Sequence, residues 1–156
     1  MRVPRFLLLA CGFLGAEAVA RAEAAAPAPA GYVTAEIAPA KTSIYIGTVK
    51  LTVSPMIRHG NAYSSTYTAK VFPYFFYDET GQFSIEVSDA DLFRLASGQA
   101  IDFLGHALRS DGVDRLVRAR ATPSSLADGQ VKVRVVISPR LTLIFNTTYH
   151  LSGWQK

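Results

Sequence analysis

The segment "GQVKVRVVIS" (129–138) constrains this chain more than any other. Val131, Val133, Val135 and Ile137 share one parity, while Gln130, Lys132, Arg134 and Ser138 share the other. A period of two puts successive side chains on opposite faces of a strand. One face is then apolar and the other polar, as in an antiparallel strand buried on one side. "RLTLIFNTTYHL" (140–151) repeats the pattern with Leu141, Leu143, Phe145, Tyr149 and Leu151, and "QFSIEV" (82–87) repeats it with Phe83, Ile85 and Val87. The turn signals "RHGN" (58–61), "DETG" (78–81), "SDG" (110–112), "ADG" (127–129) and "SPR" (138–140) separate such runs. The rhythm predicts an all-β domain, an antiparallel meander of seven to eight strands forming a small barrel or sandwich.

One short helix interrupts the series at about residues 89–97. Ser88 stands as its N-cap with Asp91 at the third helical position, a capping-box arrangement, and Gly98 falls where a C′ glycine ends a helix.

The first residues read as a leader. Arg2 and Arg5 precede the apolar run "FLLLACGFLGAEAVA", and "ARA" (20–22) supplies a small-x-small cleavage pattern. The sequence therefore predicts a signal peptide over 1–22, an Ala/Pro-rich flexible leader over 23–31 and a single β domain over 32–156. Export to the periplasm or the extracellular space follows. "LLAC" leaves a lipoprotein through Cys11 as the alternative. Cys11 is the only cysteine, so cleavage after Ala22 leaves a mature chain with no disulfide and no thiolate.

Charge excludes one class of partner. The whole chain carries 16 basic and 12 acidic residues; Arg2, Arg5, Arg21 and Glu17 depart with the leader, leaving 13 and 11, a net of +2. Nucleic-acid binding needs a stronger basic excess. His59, His106 and His150 have no partner at metal-ligand spacing, and no nucleophile, phosphate-loop or dinucleotide motif occurs. The sequence predicts no enzyme, no metal and no cofactor.

Two groups of residues remain as candidate sites. "VFPYFFY" (71–77) places five aromatic rings in seven positions. Read as a strand, with "DETG" as a three-residue hairpin loop and Gly81 in the left-handed region, it sets Phe75 opposite Ile85 and Tyr77 opposite Phe83. "RHG", read the same way, sets Val53 opposite Ser65, Leu51 opposite Tyr67 and Val49 opposite Ala69. Both assign the odd-numbered residues to the core: Val49, Leu51, Val53, Tyr67, Val71, Phe75, Tyr77, Phe83, Ile85 and Val87. Phe72, Tyr74 and Phe76 then share the other face with Ile44 and Ile46. That apolar cluster is either covered, by Leu92, Phe93 and Leu95 of the helix or by the 32–37 segment, or open as a ligand-binding surface.

The second group is cationic. Pairing Ala121 with Val131 places Arg120 opposite Lys132 and Arg118 opposite Arg134 on the outer face. Like charges directly opposite repel. The four are therefore either splayed in solvent and neutralised by carboxylates such as Asp102, or an anion-binding site.

Together these features point to an exported, non-enzymatic binding domain for an apolar or amphipathic ligand, lipid or glycan, or for a protein partner. The alternative is a structural or assembly subunit of the cell envelope that uses the aromatic face as an oligomer interface. A small outer-membrane barrel is a third reading, since alternation alone does not say whether the apolar face points inward or to lipid.

Overall fold

The computed structural model describes residues 32–45 and 47–154; the signal-peptide and leader readings, Cys11 and Ile46 fall outside the described residues. The chain is all-β with one α-helix: a closed eight-stranded antiparallel barrel with two extra strands. The strands are β1 (Tyr32–Ile37), β2 (Ala40–Ile44), β3 (Gly47–Val53), β4 (Met56–His59), β5 (Ala62–Phe72), β6 (Glu79–Glu86), β7 (Ile101–Arg109), β8 (Asp114–Pro123), β9 (Asp128–Ser138) and β10 (Leu141–Trp154). The helix α1 (Asp89–Ala96) joins β6 to β7.

The surplus over eight strands comes from two prolines. Ala35 faces Met56 in the β1–β4 ladder, and Ala40 faces Leu51 in the β2–β3 ladder, so the two ladders continue one another. Between them lie Ala38–Pro39 and Ser54–Pro55, and a proline has no N–H to give a ladder. The barrel runs β5-β4-β1-β10-β9-β8-β7-β6 and closes through β5–β6. β3 pairs with the far half of β5, and β2 ends the sheet with β3 as its ladder partner.

The core lies inside the barrel and is apolar. Val117, Ile101, Phe145, Met56 and Tyr63 are almost completely enclosed, and among the described residues no polar or charged residue is fully buried. The alternation in β7 to β10 sends Val131, Val133, Val135, Phe145, Tyr149 and Leu151 inward, as their parity predicts. The cationic register holds too: Ala121 faces Val131, Arg120 faces Lys132 and Arg118 faces Arg134.

The helix ends also follow the sequence. The Ser88 hydroxyl accepts from the Asp91 amide at 3.2 Å, and the Asp91 carboxylate accepts from the Ser88 amide at 3.3 Å. At the other end Gly98 has φ 82, and the amides of Gly98 and Gln99 donate to the carbonyls of Leu95 and Arg94. This is a Schellman motif, which needs the left-handed residue that glycine supplies without a Cβ clash. Leu92 and Leu95 are buried, and they border the same interior as Tyr63, Met56 and Ile101. Burying each stabilises the fold by about 1.5–3 kcal/mol. The helix thus plugs one end of the barrel.

The aromatic run departs from the expected register. β5 stops at Phe72, where the Phe72–Pro73 bond is cis, and Phe75–Tyr77 form a 3-10 turn rather than strand. Tyr63 faces Ile85, Ser65 faces Phe83 and Tyr67 faces Gly81, so Phe75 and Tyr77 are not opposite Ile85 and Phe83. "DETG" is not the turn. Gly81 lies inside β6, where an added Cβ would sit 2.1 Å from the Leu108 carbonyl oxygen and 2.8 Å from the Tyr67 ring. It marks a close approach between strands, not a positive φ. "RHG" is likewise not a three-residue loop: His59 faces Ala62 across a two-residue turn, and β3 meets β5 with Val53 opposite Tyr67, Leu51 opposite Ala69 and Val49 opposite Val71. The β3–β5 and β5–β6 slips are by even numbers of residues, so the odd-numbered residues stay inward in β3, β5 and β6. In β4, past Pro55, the parity switches, with Met56 buried and Ile57 exposed.

Candidate functional site

Opposite the helix, the barrel is open. The β2–β3, β5–β6, β7–β8 and β9–β10 connections all lie at this end, around a hollow of about 830 Å³. Its apolar wall includes Ile44, Val49, Val71, Ile137, Leu141 and Leu143. Pockets that take a small organic ligand are of this size and of this mixed, mainly apolar character.

A polar cluster sits on one side of the wall. Arg115 donates to Glu79 at 2.8 Å, Arg109 approaches the same carboxylate at 3.7 Å, and the Tyr67 hydroxyl donates to its other oxygen at 3.3 Å. The side chains of Arg115 and Glu79 are only 11% and 15% exposed. The Nε of Arg115 is buried without a hydrogen-bond partner. Burial, and then the Glu79 charge, push the Tyr67 phenol up to about 12. Arg109 also forks onto Asp111, whose carboxyl is held below its usual value by that hydrogen bond.

Tyr67 is inward as its parity predicts; Glu79, Arg109 and Arg115 belong to no functional motif, yet the sequence carries a signal for them. Arg115 shares parity with Val117, Ala119 and Ala121; Glu79 with Phe83 and Ile85; Arg109 with Ala107. Three charged residues at inward positions of adjacent strands, all toward one end, mark a polar group built into a barrel mouth.

The predicted aromatic residues form the rim of the same mouth, but not as a strand face. Phe72 and Phe75 are each 75% exposed and Phe76 is 69% exposed; Tyr74 and Tyr77 are exposed as well. Phe75 and Tyr77 are therefore not core, because the chain leaves the barrel at Pro73 before reaching them. Tyr74, Phe76 and Tyr77 touch one another, with ring centroids 5.6 Å and 4.5 Å apart. Phe76 and Tyr77 reach over the hollow, and Ile44 lines it from the inside rather than standing on an outer face. Neither proposed cover is present: Leu92 and Leu95 pack at the plugged end, Phe93 is exposed, and β1 pairs with β10 and β4.

The four predicted cations do lie together on the outer wall, all exposed. Asp102 faces Arg120 from β7 and accepts its guanidinium at 2.7 Å. Arg118, Lys132 and Arg134 make no ion pair among the described residues.

Two of the histidines have carboxylate partners that the sequence spacing did not suggest. His106 Nδ1 lies 2.9 Å from Asp114, and His150 Nδ1 lies 2.6 Å from Asp128. Ser125 also donates to Asp128, at 2.9 Å; the His150 hydrogen bond, and then that of Ser125, hold the Asp128 carboxyl below its usual value. A hydrolytic triad needs the hydroxyl on the imidazole, and here it is on the carboxylate. No protein-family model, curated protein or solved structure matches the chain.

Proposed function

We propose that this chain is an exported binding domain whose open mouth takes an amphipathic, lipid-like ligand. A single observation carries the reading: a hollow of about 830 Å³ joins an apolar wall to a largely buried Arg115–Glu79 pair with Arg109 beside it. Eight strands enclose just enough room for side chains or one small ligand. An acyl chain would lie against Val49, Val71, Ile137 and Leu143. Its oxygen-rich head would accept from Arg115 and Arg109, since guanidinium groups offer only donors. Against the outer-membrane reading stands the wall itself, which carries Lys50, Lys70, Arg118, Lys132 and Arg134 outward and Val, Leu and Phe inward. A membrane barrel has the reverse arrangement. The assembly-subunit reading would use the aromatic rim as a contact between copies.

Native mass spectrometry of the protein isolated from its host envelope tests the proposal. The expected result is a bound amphiphile that is lost in Leu143→Trp, which fills the hollow. A bare wild-type chain, or an adduct that Leu143→Trp leaves in place, would remove the hollow as the site.

A further inference from the structure

Beside the aromatic rim runs a row of positive charge, of which only Lys70 borders the hollow. Lys41 faces Lys50, and Lys50 faces Lys70, so three lysines form an unbroken row across β2, β3 and β5. All three are exposed, and among the described residues none of them makes an ion pair. Neighbouring side chains in such a row stand about 5 Å apart, close enough to repel. A row of like charges without a counterion favours an anionic surface.

The geometry relates the row to the rim. Lys70 and Phe72 share the outer face of β5, two residues apart, which is about 7 Å along a strand. Beyond Phe72 stand Phe75 and Phe76, mostly exposed, and Tyr45 at the adjoining β2–β3 turn is fully exposed. Phe76 packs on Tyr74 and Tyr77, and with Phe72, Phe75 and Tyr45 exposed around it the group forms an apolar knob. A row of cations set about 7 Å behind such a knob matches the depth profile of a bilayer surface. There, rings reach the acyl boundary while lysine ammonium groups lie at the phosphates, their stems along the apolar surface.

We infer that the chain docks on an anionic lipid bilayer through this end, with Phe72, Phe75, Phe76 and Tyr45 inserted and Lys41, Lys50 and Lys70 on the headgroups. Charge complementarity selects a membrane over an uncharged apolar partner, since the knob alone would suit either. Docking does not require the hollow to be filled. It does place the open mouth against the lipid surface.

Co-sedimentation tests this, using the protein as isolated from its producing cell and vesicles of phosphatidylcholine with or without phosphatidylglycerol. Binding is expected only with phosphatidylglycerol and should weaken with salt. Each lysine near an anionic surface is worth about fivefold in affinity, so K50E/K70E should lose tenfold or more. F75S/F76S should lose binding at every lipid composition. Tyrosine fluorescence of the wild type should be quenched by vesicles brominated in the upper acyl chain, which requires no variant to fold. R115M, which alters only the hollow, should bind vesicles as the wild type does even if it carries no ligand. The inference is overturned by equal binding to neutral vesicles, by binding that survives both double substitutions, or by absent quenching. A stable dimer that F75S/F76S dissociates, with no vesicle binding, would reassign the knob to self-association.

Discussion

At the plugged end of the barrel, Tyr63, Met56, Leu92 and Ile101 fill the cross-section with large side chains. At the open end, the inward positions of neighbouring strands hold Val49, Ala69 and Val71. The backbone is continuous between the two, since β5 supplies Tyr63 to one end and Ala69 and Val71 to the other. The packed half is filled by large inward side chains together with Leu92 and Leu95 of the helix, whereas among the described residues no element inserts into the cross-section at the other end. The ends differ in polar chemistry as well. At the plugged end, the Tyr63 hydroxyl donates to the Tyr32 carbonyl at 2.6 Å, and Arg58 lies over the Tyr63 ring while bonded to Asp89 at 2.6 Å. At the open end, Arg115, Arg109 and Tyr67 converge on the single carboxylate of Glu79. Each end buries one unpartnered guanidinium Nε, of Arg58 and of Arg115, so the ends differ in what adjoins the polar group: a packed plug at one, a hollow at the other.

The comparison breaks most sharply under truncation. Leu92→Ala should cost about 2–5 kcal/mol in urea unfolding, because it leaves a cavity beneath the helix. Phe75→Ser at the rim should change stability by no more than about 0.5 kcal/mol, as surface substitutions do. Equal losses would mean that the rim is a packed element like the plug.

A smaller effect tests the polar cluster. Glu79→Ala leaves Arg115 without its carboxylate and should cost about 1–3 kcal/mol. Combining Glu79→Gln with Arg115→Met should recover much of that loss, since a largely buried ion pair is often replaced by apolar groups at little cost. If the single and double variants lose the same amount, the pair is not coupled.

A further effect is in pH. Burial raises the phenols of Tyr63, Tyr67 and Tyr149 from 10.0 to about 12. A group with a raised folded value contributes stability in full below its unfolded value and loses it as pH climbs through the folded one. Stability should therefore hold up to about pH 10 and fall between 10 and about 12, followed by tyrosinate absorbance during unfolding. Tyr67→Phe should flatten part of that fall. A decline that begins well below pH 10 would place its cause elsewhere.

Much of the barrel was legible in sequence where alternation was unbroken. Val131, Val133, Val135 and the Arg118–Arg134 and Arg120–Lys132 pairs were placed correctly because β8 and β9 carry a strict period of two. The helix was legible because its two ends depend on local hydrogen bonds alone. The aromatic run was not, because rings of the same type occupy both parities and periodicity gives no answer there. Proline was the better guide: Pro73 ends β5, and Pro39 and Pro55 divide two further strands. The polar mouth was hidden by reading charge as an outward marker, so that Glu79, Arg109 and Arg115 were passed over in favour of Arg118 and Arg120.

The divided strands have a kinetic meaning. From Ile37 back to Tyr32, β1 is laddered to β10, and the Ala38 amide still donates to the Thr148 carbonyl at 3.0 Å. Past Pro39 that ladder stops: β2 has β3 as its ladder partner, and residues 141–147 of β10 pair with β9. The wall between β2 and β10 is thus a seam held by side chains, flanked by proline breaks at both Pro39 and Pro55. Among the described residues, parting it ruptures no row of backbone hydrogen bonds, so the seam should open at lower cost than the ladders of the cylinder, with β3 still held to β5. Amides of 40–44 should then exchange with solvent ahead of those in β7 to β9.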